Sequence, residues 1–131
     1  MADFEHARAI LRMAHKDFNA LTGMMSNAVF ADEIFGFHVQ QAVEKALKAW
    51  LCIKSVAYPA THDLARLLTL LESADTKVEP FWPLVQFTIF AVQARYEEGI
   101  TDLDEPLMRA AEIENVRALL TTVEKAIAEN I

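Results

Sequence analysis

The segment Phe37 to Leu51 carries the most unusual hydrophobic pattern in the chain. On a helix turning about 100° per residue, His38, Gln41, Glu44, Lys45 and Lys48 fall in one compact polar strip. Val39, Ala42, Val43, Ala46, Leu47, Ala49, Trp50 and Leu51 fill nearly all of the remaining circumference. A surface helix has the opposite proportions, so this one is expected at the centre of a bundle with neighbours on several sides. Gln40 breaks the pattern. It projects into the apolar sector beside Leu47 and Leu51, where a buried amide needs hydrogen-bond partners. Taken alone, the strip reads as a solvated face with Gln41–Lys45 and Glu44–Lys48 pairs at i,i+4.

The same period predicts the other elements. Phe4, Ala7, Leu11, Ala14, Phe18, Leu21 and Met25 alternate spacings of three and four, which predicts an amphipathic first helix with Asp3 as N-cap and Gly23 near its end. The central helix is expected from near Asp32 to about Ser55, with Gly36 inside it as a point of close approach for a neighbour. After the loop Ser55 to Thr61, Thr61 is the expected N-cap of a short helix from His62 to about Glu72, with Leu64, Leu67, Leu68 and Leu71 facing inward. Pro80 and Pro83 suit the first turn of a fourth helix ending at Gly99. Its two apolar stripes, Trp82–Val85–Ile89–Val92–Tyr96 and Leu84–Phe87–Ala91–Ala94, predict burial on two sides. Pro106 starts a last helix, in which Ile113, Val116, Leu120, Val123 and Ile127 repeat at three and four. No strand pattern competes. The expected fold is all-α, an antiparallel up-and-down bundle of four long helices plus one short helix, in a single domain spanning residues 1–131.

Composition narrows the possible roles. The chain has 131 residues, is 53% hydrophobic and contains only 3 Gly and 4 Pro, enough apolar content for a real core and too few breakers for a loop-rich fold. A net charge of −7 argues against broad attraction to nucleic acid or to an anionic membrane, but leaves room for a local basic pocket. The lone Cys52 permits no intrachain disulfide. No stretch approaches a membrane span, and the charged start MADFEHAR lacks a hydrophobic signal region, so a cytoplasmic location is expected.

Few motifs carry chemistry. There is no His-x-x-x-His, no Glu-x-x-His and no cysteine pair, so neither a metal nor any other cofactor is expected. Glycine-rich phosphate loops are absent. Cys52 has no evident activating base and is expected to pack. His62-Asp63-Leu64 at a helix start places a histidine where it can stay exposed, beside an aspartate favoured by the helix dipole.

Together, Phe37-His38-Val39-Gln40-Gln41-Ala42-Val43-Glu44-Lys45-Ala46-Leu47-Lys48-Ala49, then His62-Asp63-Leu64 with Leu67 and Leu68, then Ala94-Arg95-Tyr96, resemble the HEPN domain (higher eukaryotes and prokaryotes nucleotide-binding). The family pattern is roughly F-x-x-Q-Q-A-x-E-K-x-L-K-A, a loop, H-x-L-x-x-L, and A-R-Y in the next long helix. The resemblance covers nearly the whole chain. It implies an up-and-down helical bundle that usually forms a homodimer. It further implies a stand-alone prokaryotic member, of a kind often encoded beside a minimal nucleotidyltransferase as a two-component or toxin–antitoxin pair.

Many other members of the superfamily are metal-independent ribonucleases carrying Arg, four to six residues, then His late in the bundle. This chain departs from that pattern, because no histidine follows Arg95; the last is His62. Arg8 and His15 have a similar separation, but it arises readily by chance and lies in the wrong helix, so it carries no weight. The expected function is therefore non-catalytic: binding of a nucleotide, action with a nucleotidyltransferase partner, or both. A ribonuclease using a displaced histidine and a purely structural interaction module are the alternatives. The expected ligand-binding groups are Gln41, Glu44, Lys45, Lys48, His62, Arg95 and Tyr96, with no catalytic residue assigned. In this reading Lys45, Lys48 and Arg95 hold phosphates and Tyr96 stacks on or bonds a base.

Overall fold

The computed structural model describes residues 2–26, 28–92 and 107–129, which are all-helical with no strand among them. The elements are α1 (Phe4–Thr22), α2 (Asp32–Ile53), α3 (Leu64–Ser73), a 3-10 helix (Glu79–Ala91) and α4 (Arg109–Glu129). One hydrophobic cluster draws on all five. Central placement of α2 follows from its sequence: more than half of its residues are buried, and it contacts every other helix.

Local signals set most boundaries. Asp3 caps α1, its carboxylate accepting from the His6 amide at 2.9 Å. Gly23 ends that helix with an ordinary right-handed backbone, so its role there is not the left-handed one. Asp63, rather than Thr61, caps α3: its Oδ1 accepts from the Ala65 and Arg66 amides, while the Thr61 hydroxyl accepts from the Asp63 amide one step earlier. A threonine and an aspartate two positions apart both suit a cap, and the carboxylate takes the helix amides.

The fourth element differs from expectation. Over Glu79–Ala91 the chain winds as a 3-10 helix, although that geometry seldom persists beyond a few residues. Its buried residues Phe81, Leu84, Phe87 and Phe90 are spaced by three, the repeat of a three-residue turn. Pro83 withholds the amide that an α-helix starting at Glu79 would bond to the Glu79 carbonyl. Of the two stripes expected from an α-period, Trp82, Val85 and Ile89 are only half-buried and Val92 is exposed. Tyr96, Ala94, Gly99 and Pro106 lie outside the described residues.

Two packing details fix the frame. A Cβ placed on Gly36 would lie 2.3 Å from Cδ1 of Phe90, so glycine permits the close approach of α2 to the 3-10 helix. At the start of α4, Arg109 is buried and gathers the link between α1 and α2. Its guanidinium donates to the carbonyls of Met24, Ser26 and Phe30 and to Oδ1 of Asp32, and lies 4.9 Å from the centre of the Phe35 ring. One cation thus satisfies three loop carbonyls, the Met24 bond being buried and the other two part-buried.

Candidate polar site on the central helix

The strip on α2 is divided between two carboxylates. Glu44 organises one half. It is only 7% exposed. Its Oε1 accepts from Gln40 Nε2 at 2.9 Å and from His62 Nδ1 at 2.8 Å, and its Oε2 accepts from Lys48 Nζ at 3.0 Å. An ionised carboxylate only accepts, so the His62 ring donates through Nδ1. Burial alone raises the pKa of Glu44, but the hydrogen bonds from Gln40, His62 and Lys48, together with the Lys48 charge, outweigh it and leave the group more acidic than usual.

Gln40 is fully buried and satisfied. Both amide hydrogens are used, on Glu44 and on the His62 carbonyl at 3.2 Å, while its own oxygen accepts from Gln41 at 2.7 Å. His62 is thereby tied to α2 by ring and backbone together, which anchors the loop leading into α3. Lys48 also lies 5.5 Å from the centre of the Tyr58 ring, and Tyr58 Oη is 2.8 Å from His6 Nε2. This half of the strip therefore assembles α1, α2 and the loop before α3 around one carboxylate.

Asp17 of α1 organises the other half. Its carboxylate takes Lys45 on Oδ2 and His38 Nδ1 on Oδ1, the latter at 2.9 Å. Lys45 therefore pairs across helices with Asp17, whereas the i,i+4 reading had placed it beside Gln41; the Glu44–Lys48 pair forms as expected. Each lysine ammonium is balanced by one carboxylate, so the strip carries both signs of charge close together.

Of the residues expected at a site, Gln41, Glu44, Lys48 and His62 are brought together, and Lys45 lies on the same helix face with its own partner. Arg95 and Tyr96 lie outside the described residues. Pattern reading missed Asp17, Tyr58 and His6. Asp17 had a signal: it stands three residues after Ala14 and four before Leu21, at the apolar register of α1. Tyr58 and His6 sit in a loop and on a polar face, where periodicity says nothing. Among the described residues, no group of three or more His, Cys, Asp or Glu side chains could hold a metal ion. No helix among them is long and apolar enough to cross a membrane.

Fold and site together define a helical bundle with a buried-carboxylate polar strip on its central helix. The family model for the HEPN domain matches residues 7–129, and the chain belongs to that family. No curated protein and no solved structure shows a significant match to it.

Proposed function

We propose that this HEPN protein acts by binding rather than by catalysis, and that the strip on α2 receives a nucleotide. The family is one of nucleotide-binding and ribonuclease-type proteins. The carrying observation is that the Glu44 carboxylate holds Lys48 and His62 together, with the Lys48 ammonium over the Tyr58 ring. An ammonium has three donors. Lys45 and Lys48 each make one hydrogen bond among the described residues, which leaves donors for phosphate oxygens. The Tyr58 ring is stacked with His6, ring centres 6.0 Å apart, and has the Lys48 ammonium over it, so in this reading it positions the lysine rather than a base. Because Asp17 and Glu44 oppose phosphate, binding in this reading is modest in affinity.

Isothermal titration with ATP, GTP and their diphosphates is the test. Saturable binding that weakens at least roughly tenfold, about 1.4 kcal/mol, in Lys45→Gln/Lys48→Gln supports the reading. Heat that never saturates at millimolar nucleotide removes it.

One observation favours a second reading. Since both lysines of the strip already face carboxylates, the strip also suits a protein surface of mixed charge. The partner would be a minimal nucleotidyltransferase, as in a toxin–antitoxin pair, or a second copy in a homodimer. In that case the same double substitution leaves nucleotide heat unchanged and weakens association in sedimentation velocity.

A further inference from the structure

A second feature lies at the edge where α1 meets α4, apart from the strip on α2. Arg8, Leu11, Arg12 and His15 of α1, with Glu124 and Ile127 of α4, line an open groove of about 310 Å³. Leu11 and Ile127 are buried beneath it and give it an apolar floor. His15 Nε2 and Glu124 Oε1 close one end by bonding across the two helices.

Two arginines stand on the α1 wall of this groove. Lys45, Lys48, Arg109 and Arg117 are each paired with a carboxylate. Arg8 and Arg12 have no ion pair among the described residues, although they stand one turn apart, where like charges repel. Lys16, Lys54, Arg66, Lys77 and Lys125 also have no ion pair among the described residues, so what marks Arg8 and Arg12 is that both line one groove.

We propose that the α1–α4 groove binds a phosphate monoester carried on a small apolar body. Two guanidinium groups present planar forks of donors suited to the several oxygens of one phosphoryl group. The floor of Leu11 and Ile127 takes the apolar body, and the volume, at the low end for ligand pockets, suits a single ring. Glu124 on the opposite wall repels a second anionic group, which selects a monoester over a polyphosphate. The residues are distinct from those of the α2 strip, so the two sites stand or fall separately.

The test is a titration of the ¹⁵N-labelled full chain with phenyl phosphate, inorganic phosphate and benzoate, followed by amide shifts. Phenyl phosphate is expected to shift α1 and α4 amides saturably and to bind tighter than either other probe. The Arg8→Gln/Arg12→Gln variant, altered only at surface positions, should lose at least roughly tenfold in affinity, and Glu124→Gln should gain severalfold. Lys77→Gln, at an exposed position in the link between α3 and the 3-10 helix, should change nothing. No saturable shift, or unchanged affinity in the arginine variant, overturns the proposal. Inorganic phosphate binding as tightly as phenyl phosphate overturns the apolar floor, and benzoate doing so overturns the dianionic group.

Discussion

Glu44 on α2 and Glu112 on α4 are both buried carboxylates, at 7% and 9% exposure, and their acidities are displaced in opposite directions. For both, burial is the largest influence and acts to raise the pKa. Glu44 also receives Gln40, His62 and Lys48, and the sum falls below the ordinary value of 4.5. Glu112 receives only the amides of Asn115 at 2.9 Å and Gln86 at 3.3 Å, and its pKa stays above 4.5. The number and kind of donors make the difference: beyond the Gln40 amide, Glu44 takes the His62 ring and the Lys48 ammonium. A buried carboxylate bonded to amides remains reluctant to ionise, whereas one bonded to an ammonium and an imidazole is held charged and can organise a surface.

The sharpest way to break this comparison is to remove each carboxylate in turn. Glu44→Leu leaves the Gln40 amide, the His62 ring and the Lys48 ammonium without their acceptor, and should cost about 3–5 kcal/mol in urea unfolding. Glu112→Leu strands only two amides, both on exposed residues, and should cost under about 2 kcal/mol. Equal losses would mean that the Lys48 and His62 contacts contribute little. Next in size is the scaffold beneath the strip. Gly36→Ala drives a methyl into the Phe90 ring and should cost about 1–3 kcal/mol, read as a shift in the urea midpoint.

Smaller effects appear in the pH dependence. Glu44 has a lowered folded pKa, so its contribution is present above pH 4.5 and is lost as pH falls below that value. Glu112 has a raised folded pKa, so its contribution is full below pH 4.5 and is lost as pH rises through the folded value. Stability of Glu44→Gln measured from pH 3 to pH 7 should therefore rise less steeply than that of the unaltered chain. Glu112→Gln should rise more steeply than the unaltered chain. The reverse order of slopes would contradict the assigned causes.

Much of this frame was legible in the pattern. The N-cap of α1, the periods of α1 and α4, the centrality of α2, the close approach at Gly36 and the buried state of Gln40 all follow from spacing and cap chemistry. Two signals were present and unread: Arg109 and Glu112 lie four residues before Ile113 and Val116, on the apolar register of α4, so each had to find partners inside the bundle. The winding of Glu79–Ala91 was harder. Its apolar residues satisfy both a 3.6 and a 3.0 repeat in part, and the choice depends on how Phe90 meets Gly36 across the helices. For the site, helical spacing placed Gln41, Glu44, Lys45 and Lys48 on one face. It carried no information about Tyr58 and His6, and for Asp17 it gave only a place on the apolar register of α1; their long-range contacts decide which lysine pairs with which acid.

The most direct test of the binding role is an amide-shift titration of the ¹⁵N-labelled chain with ATP, compared with Lys45→Gln/Lys48→Gln. We expect saturable shifts confined to Gln41, Lys45, Lys48, Tyr58, His62 and their neighbours, weakened at least roughly tenfold in the variant. Absence of saturable shifts at millimolar nucleotide, or shifts that persist unchanged in the variant, would contradict a nucleotide site on the central helix.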